Sequence, residues 1–296
     1  MKLLNAYLRK TFGCKVYKLA LNGGFTCPNR DGTKGNRGCI FCSAGGSGDF
    51  AESPQLSVTE QIEQGKQRVA AKIKDGKYIA YFQAYTNTYA PVNILRDKFL
   101  EAIRHPDVVA LSIATRPDCL PSDVLDLLEE LNNIKPVWVE LGLQTIHAQS
   151  ADYIRRGYDL DVYDKGVKQL RKRKIEVVTH VILGLPNETK EDMVATVDYV
   201  CKSGATGIKL QLLHVLKHTD LLTDYEAKRF EALTEDEYID ILKACVAVIP
   251  EDVIVHRLTG DGDKKILVAP LWSANKKRVW NRIQKEVLSE SLLMLK

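Results

Sequence analysis

The sequence predicts an α/β fold, a partial (β/α)6-type barrel of parallel strands with a short C-terminal extension. Two patterns support this. About seven short apolar segments alternate with segments of helical periodicity, as in βα repeats. The apolar segments are also continuous runs rather than alternating patterns, which is typical of strands covered on both faces. The length of 296 residues suits one barrel or two smaller domains.

The elements follow one another with short connections. The predicted strands are Val16–Leu21, Tyr78–Gln83, Val108–Ala114, Val137–Leu143, Glu176–Leu183, Ile208–Leu213 and Val253–His256. The predicted helices are 57–74, Val92–Arg104, 122–131, 147–155, 160–173, Lys190–Lys202 and 234–248. Capping boxes beginning at Ser57 and Thr234 mark the starts of two of these helices. Active sites of such sheets lie at the carboxyl ends of the strands.

Composition narrows the class of protein. The chain is 45% hydrophobic and 27% charged, which argues against a disordered, collagen-like or disulfide-scaffold protein. No apolar run reaches the roughly 18 residues of a membrane helix, and the N-terminus has no long apolar segment typical of a signal peptide. We therefore expect a cytoplasmic protein without membrane contact. The net charge of +4 permits nucleic-acid binding without indicating it.

Three of the seven cysteines, Cys27, Cys39 and Cys42, share one glycine-rich loop over residues 22–50 with the spacing C-x11-C-x2-C. Such a loop can curl around a metal centre. A zinc site needs a fourth ligand, for which Cys14 is the available candidate. Three thiolates on a [4Fe–4S] cluster would instead leave one iron open. Buried free thiols are the remaining interpretation.

With Phe41-Cys42 ending this loop, the chain resembles the radical S-adenosylmethionine (SAM) enzymes. It is most similar to the small Elp3-like branch, which lacks the acetyltransferase half of Elp3. The resemblance covers roughly residues 14–257. The usual spacing is C-x3-C-x2-C, and Elp3-like members also expand the first gap. The resemblance implies a [4Fe–4S] cluster on the three cysteines, bound SAM and a flavodoxin or ferredoxin as electron donor.

Further motifs follow successive strands and carry the same resemblance. They imply SAM contacts by Gln83, Thr86 or Asn87 after the second strand and by Arg116 of an Ala-Thr-Arg-Pro-Asp segment after the third. Arg116 could hold the SAM carboxylate through a bidentate pair. The E-x-G-x-Q pattern adds Glu140 and Gln144, and the Gly-Leu-Pro segment adds Gly184 and Pro186 near the adenine. Phe41 completes the implied cofactor-binding set.

Three other residues are candidates for catalysis. Lys18 lies on the first strand and either lines the site or faces solvent. His214 and His218 lie in a loop at the catalytic face. They either contact substrate or are solvated or capping histidines. We expect Cys119, which follows the third strand, to be a buried packing thiol.

Two basic segments could contact an anionic polymer or be solvated helix faces. One is Lys165–Lys174, and the other is the extension 258–296, which we separate from a core over residues 1–257. The resemblance implies tRNA as substrate. The reaction would convert the carboxymethylaminomethyl group of a wobble uridine to aminomethyl, for a downstream methyltransferase. Alternatives are a porphyrinogen oxidase-like enzyme, a methylthiotransferase, which would need a second cysteine cluster, and a non-catalytic zinc-stabilised nucleic-acid-binding module.

Overall fold

A computed structural model describes residues 2–73, 76–260 and 262–289. Its main feature is an eight-stranded sheet in which every neighbouring pair of strands is parallel. The strands within these ranges are β1 (Lys2–Leu3), β2 (Val16–Leu21), β3 (Lys77–Phe82), β4 (Val108–Thr115), β5 (Val137–Gln144), β6 (Glu176–Leu183), β7 (Gly207–Leu212), β8 (Val215–Leu216), β9 (Ile254–Arg257) and β10 (Leu267–Ala269). The strand order is β1-β9-β7-β6-β5-β4-β3-β2, and β8 pairs antiparallel with β10 outside it. This is the predicted α/β architecture, a curled half-barrel.

Helices connect the parallel strands. They are α1 (Leu4–Phe12), α2 (Val58–Val69), α3 (Val92–Arg104), α4 (Ser122–Asn132), α5 (Ala148–Tyr153), α6 (Leu160–Lys172), α7 (Lys190–Lys202), α8 (Asp220–Glu226), α9 (Glu235–Ala247) and α10 (Lys276–Ile283). Both predicted capping boxes form, and a third begins at Thr189. In each box the hydroxyl and the carboxylate satisfy backbone N–H groups that the first helical turn leaves unpaired. No helix in these ranges is long and apolar enough to cross a membrane.

The extension after residue 257 packs against the barrel core. Leu258, Val279, Ile283 and Val287 belong to the same apolar cluster as the strand residue Phe82. Ile283 is fully buried. Burying a side chain of this size stabilises the fold by about 1.5–3 kcal/mol. The extension therefore contributes hydrophobic burial to the barrel fold.

The two basic segments lie at different ends of the molecule. Helix α6 runs back from the carboxyl end of β5 to the start of β6, so its last turn lies at the amino ends of the strands. An ion pair of 3.6 Å between Arg171 and Glu176, the first residue of β6, fixes this placement. Arg173 pairs with Asp126 and Glu129 on α4. The basic end of Lys165–Lys174 therefore faces away from the carboxyl ends of the strands, whereas part of the extension lies beside them.

Candidate functional site

Two adjoining cavities open at the carboxyl ends of the strands. The inner cavity has a volume of about 170 Å³ and the outer cavity about 480 Å³. Eight residues line both: Phe41, Cys42, Ser47, Gln83, Gln144, His180, Gln211 and Arg257. The two cavities therefore form one continuous space that begins at the cysteine loop and opens towards the surface.

All three cysteines of the loop line the inner cavity. A backbone hydrogen bond of 3.0 Å from the Cys42 N–H to the Cys39 carbonyl closes the short C-x2-C turn. The Nδ2 of Asn29 donates to the Cys39 Sγ at 3.4 Å and to the Arg155 carbonyl at 2.7 Å, which ties the loop to the segment after α5. Gly46 has a φ of 58°, and a Cβ there would lie 2.3 Å from the Tyr85 ring. The loop thus needs glycine to fold tightly over the cavity.

The sulfur positions fit a cluster better than a single metal ion. Burial raises the pKa of Cys39 to about 12 and also raises that of Cys42, so a bound cationic centre would be needed to keep these ligands as thiolates. Tetrahedral zinc with Zn–S bonds of about 2.3 Å holds its sulfurs about 3.8 Å apart. Among the described residues, the three cysteine sulfurs do not all lie within 4.8 Å of one another, so at least one pair is farther apart than a single zinc ion would hold it.

Cys14 is too distant to complete a zinc site. It precedes β2, whereas Cys27 follows the same strand. Six residues of strand span about 20 Å. The described cysteines therefore offer three ligands at this loop, the number that leaves one iron of a [4Fe–4S] cluster open.

The buried carboxylate Glu140 organises the wall of the inner cavity. Its side chain is fully buried and bonds to Lys18 at 2.6 Å, to the Ser112 hydroxyl at 2.5 Å and to Lys209. Burial alone would raise the pKa of Glu140, but the two lysines hold it well below its ordinary value. Burial lowers the pKa of Lys209 to about 7, against the opposing effect of Glu140. This group is a buried, hydrogen-bonded ion-pair network.

His180 extends this network as a neutral imidazole. Its Nε2 lies 2.7 Å from a Glu140 oxygen, and its Nδ1 lies 3.2 Å from the Gln211 amide nitrogen. An N–H donor at Nε2 and an acceptor at Nδ1 satisfy both contacts. Burial, followed by the nearby Lys209 charge, lowers the pKa of His180 to about 4. The ring is therefore uncharged at neutral pH.

Sequence reasoning missed several cationic and polar groups of the site. Lys209 and Arg257 are direct neighbours in the register of β7 and β9, and both line the inner cavity. The signal for Lys209 was present, since it is a charged residue within an otherwise apolar strand. The cations that line either cavity are Lys18, Arg30, Lys72, Arg116, Arg156, Lys209, Arg257 and Lys276, whereas the carboxylates among the described lining residues are Glu140 and Asp49. This excess of positive charge favours anionic ligands.

Arg116 lines the inner cavity in an arrangement that the sequence did not predict. Its Nε and Nη2 donate to the two oxygens of Asp118 at 2.9 and 2.8 Å, and its guanidinium lies 5.0 Å from the centre of the Tyr158 ring. Asp118 also pairs with Lys34 at 2.9 Å. Asp118 therefore occupies the two Arg116 nitrogens that were expected to hold the SAM carboxylate. Nη1 is the remaining nitrogen of Arg116 that a ligand could contact.

The other implied cofactor residues divide into two groups. Phe41, Gln83 and Gln144 line both cavities, and Thr86 lines the inner one. The remaining three, Asn87, Gly184 and Pro186, line neither of these cavities.

Structural contacts explain why two of those residues lie outside the cavities. The amide nitrogen of Asn87 is used by the carbonyls of Phe82 and Ala114, so this side chain joins two strand ends. Gly184 adopts a φ of 90°, and a Cβ there would lie 2.8 Å from Leu233. A tight turn after β6 thus accounts for this glycine.

The three catalytic candidates and Cys119 lie at different places relative to the two cavities. Lys18 and His214 line the outer cavity, and the His214 Nε2 lies 3.1 Å from the Ser273 hydroxyl. His218 is exposed on a turn with a φ of 62° and lines neither cavity. Cys119 is buried in the wall of a separate groove, and burial raises its pKa to about 12, as expected for a packing thiol.

A basic groove lies beside the mouth of the outer cavity. We call it the tail groove, and it is lined by Lys264, Leu271, Trp272, Lys276, Lys277 and Arg278. Lys276 also lines the outer cavity, where its ammonium lies 5.2 Å from the centre of the Phe50 ring. Leu271 and Phe50 are 69% and 41% exposed, which provides apolar surface among the cations.

Comparison with known proteins identifies related families. Residues 31–200 match the Radical SAM superfamily, and residues 205–288 match the Radical_SAM C-terminal domain. The chain is 50% identical to the Bacillus subtilis (strain 168) protein named "Uncharacterized protein YtqA", over 96% of this chain and 88% of the relative. It is 24% identical to the tRNA uridine(34) acetyltransferase of Methanocaldococcus jannaschii, over 56% of this chain and 31% of that protein.

A solved structure shares the fold. The archaeal Elp3 of Methanocaldococcus infernus superposes with a TM-score of 0.67 and 18% sequence identity. The match covers 91% of this chain and 63% of the Elp3 chain, so this chain spans less than two thirds of that structure.

Proposed function

The chain belongs to the radical SAM superfamily, and from this membership we propose that it is a tRNA-modifying enzyme acting on the C5 side chain of the wobble uridine. The proposed reaction converts a carboxymethylaminomethyl group to an aminomethyl group, which leaves an amine for a separate methyltransferase. The observation that carries the proposal is the continuous space that begins at the cysteine loop, together with the basic tail groove, which adjoins the outer cavity at Lys276. The similar archaeal protein is named a tRNA uridine(34) acetyltransferase, which supports uridine 34 of tRNA as the position.

The family's cofactors are a [4Fe–4S] cluster and SAM, and the lining of the inner cavity offers ligand groups for both. Cys27, Cys39 and Cys42 would hold the cluster, with Asn29 as a hydrogen-bond donor to one sulfur. Gln83, Thr86, Gln144 and the free Nη1 of Arg116 are polar groups available to SAM. Bound there, the two groups supply a 5′-deoxyadenosyl radical after one electron arrives from a flavodoxin or ferredoxin. The cysteine loop and Phe41 cover this chemistry and keep water out.

The outer cavity suits the substrate side chain. Lys18, His214 and Arg257 line it, whereas Cys27 and Cys39 do not, so a group bound there approaches SAM from the open side. Abstraction of a hydrogen atom from the carboxymethyl carbon, followed by loss of a proton and of one electron to an oxidised flavodoxin or ferredoxin, would give an imine at the carbon–nitrogen bond. Water would then hydrolyse this imine to the aminomethyl amine and glyoxylate. The site therefore holds the reacting carbon between the inner cavity and the tail groove.

A deletion strain tests the proposal. Mass spectrometry of its tRNA nucleosides is expected to show the carboxymethylaminomethyl form accumulating and the products downstream of the aminomethyl form disappearing. A plasmid copy should restore the pattern, and a copy with Cys39→Ala should not. Unchanged wobble nucleosides would overturn the tRNA reaction while leaving the family membership intact.

A porphyrinogen oxidase-like reaction is the second candidate, because the cationic cavity also suits a substrate with several carboxylates. The tail groove favours RNA, since a porphyrinogen needs no binding surface outside the cavity. The same strain separates the two reactions: accumulation of a porphyrinogen with normal tRNA nucleosides would favour the second.

A further inference from the structure

An exposed aromatic ring lies at the mouth of the outer cavity. Phe50 lines this cavity and is 41% exposed, and the Lys276 ammonium lies over its ring, 5.2 Å from the ring centre. Lys276 also lines the tail groove, where Leu271 is 69% exposed. The apolar clusters of the described core do not include Phe50, so core packing does not account for this ring. An aromatic face beside cations is the combination that binds single-stranded nucleic acids.

Polar contacts fix the backbone on both sides of Phe50. Before it, the Ser43 hydroxyl donates to the Asp49 carboxylate, 2.9 and 3.0 Å from its two oxygens. After it, Glu52 is only 8% exposed and pairs with Arg68, whose Nη1 also donates to the Phe50 carbonyl at 3.3 Å. The ring is therefore held in place at the cavity mouth although it is exposed. A group held in its binding position loses little conformational entropy when a ligand binds.

The proposed reaction requires the wobble base to leave the stack of the anticodon loop. A stacked base cannot bring its C5 side chain into a protein cavity, and unstacking it costs free energy. An aromatic side chain offsets this cost when the displaced base stacks on it, because every base has a π-face. Phe50 lies where such a base would arrive, beside Lys276, which lines both the tail groove and the outer cavity.

We propose that Phe50 is the stacking platform for the uracil ring of the wobble nucleotide. The identity of this base rests on the proposed function. In this arrangement the tail groove holds phosphates, Phe50 holds the displaced uracil, and the outer cavity receives its C5 side chain. Phe50 thus binds the base and takes no part in the bond changes.

The first experiment uses two anticodon stem-loop RNAs, one with uridine at position 34 and one with an abasic residue there. Phosphate contacts are common to both RNAs, so the difference between them isolates the base. We expect Phe50→Ala to weaken binding of the uridine RNA to the reconstituted protein by about 5- to 100-fold, the effect of one base–aromatic stack. Binding of the abasic RNA should be unchanged, and Phe50→Tyr should bind both RNAs as the wild type does. Ile134→Ala is the matched control, because Ile134 is 49% exposed and precedes β5, at the amino ends of the strands.

The salt dependence of the same binding separates stacking from an electrostatic effect on Lys276. Stacking releases no counterions, so Phe50→Ala should weaken binding of the uridine RNA by the same factor at every salt concentration. A loss that disappears at high salt would assign the effect to displaced cations and overturn the stacking platform. Circular dichroism and the Tm of Phe50→Ala verify that the variant is folded.

These results separate failure of the stacking platform from failure of the proposed function. Equal weakening of both RNAs by Phe50→Ala, or no weakening of either, would overturn the platform. The tRNA reaction would still stand if the deletion strain accumulated the carboxymethylaminomethyl nucleoside. A loss confined to the uridine RNA, together with unchanged wobble nucleosides in the deletion strain, would support the platform and overturn the proposed reaction.

Discussion

Glu140 shows how a residue implied in cofactor binding can also support the fold. From sequence it was a candidate for SAM contact, whereas the structure makes it the common partner of Lys18, Lys209, His180 and Ser112. Its side chain is fully buried although it belongs to the lining of the inner cavity. Glu140 therefore affects SAM use indirectly, by fixing the positions of the lysines around it.

We expect Glu140→Gln to lower the free energy of unfolding by about 3–5 kcal/mol, because two buried ammonium groups lose their carboxylate. Urea denaturation of wild type and variant measures this difference. Glu130→Gln is the control, since Glu130 pairs with Arg96 at 2.5 Å on the surface and should change stability by less than about 1 kcal/mol. Equal stability of Glu140→Gln and wild type would assign Glu140 to ligand binding alone.

The neutral His180 predicts a loss of stability in mild acid. Its pKa is about 4 in the folded protein and about 6.5 when unfolded, so the unfolded chain takes up the proton first as the pH falls. The contribution of His180 is complete above pH ~6.5 and declines below it, by about 2 kcal/mol at pH ~5. Urea midpoints measured from pH ~7.5 to ~5 should fall steeply for wild type and less steeply for His180→Gln. Parallel curves would contradict a neutral, partly buried His180.

At the scale of elements, apolar strands and capped helices were predicted well. The bounds of β2, β6, α3 and α7 agree with the sequence analysis, because continuous apolar runs and helical periodicity are local signals. Helix α2 ends at Val69, earlier than the predicted residue 74.

Helices α1, α8 and α10 and strands β1, β8 and β10 were not predicted. Strands β1, β8 and β10 have two or three residues each, too few for a periodic pattern, and pairing partners distant in sequence determine them. Lys209 and Arg257 were missed for a related reason, since the register of two strands brings them together.

The cysteine loop acts as one element, so its three cysteines should behave alike. We expect Cys27→Ala, Cys39→Ala and Cys42→Ala each to abolish the absorbance near ~400 nm after anaerobic reconstitution and the formation of 5′-deoxyadenosine. Cys201→Ala is the matched control, because Cys201 lies in α7, away from the inner cavity. A Cys39→Ala variant that still cleaved SAM would overturn the ligand assignment.

For the whole molecule, the distribution of charge matters more than the net charge of +4. The basic end of α6 lies at the amino ends of the strands, and Arg171 and Arg173 are used in ion pairs there. The tail groove lies at the carboxyl ends, beside the outer cavity. Because parallel strands give a half-barrel two chemically different ends, an RNA whose base enters the cavity meets the tail groove and not the end of α6.

The salt dependence of tRNA binding tests this orientation. Each phosphate contact that is lost reduces the slope of log Kd against log salt by about 0.7–0.9. The double variant Lys276→Ala/Lys277→Ala should therefore reduce the slope by about 1–2 and weaken binding at low salt. The matched double variant Lys172→Ala/Lys174→Ala removes the same charge from the opposite end and should leave the slope unchanged. The reverse result would place the RNA at the amino ends of the strands, where its wobble base could not reach the cysteine loop through the outer cavity.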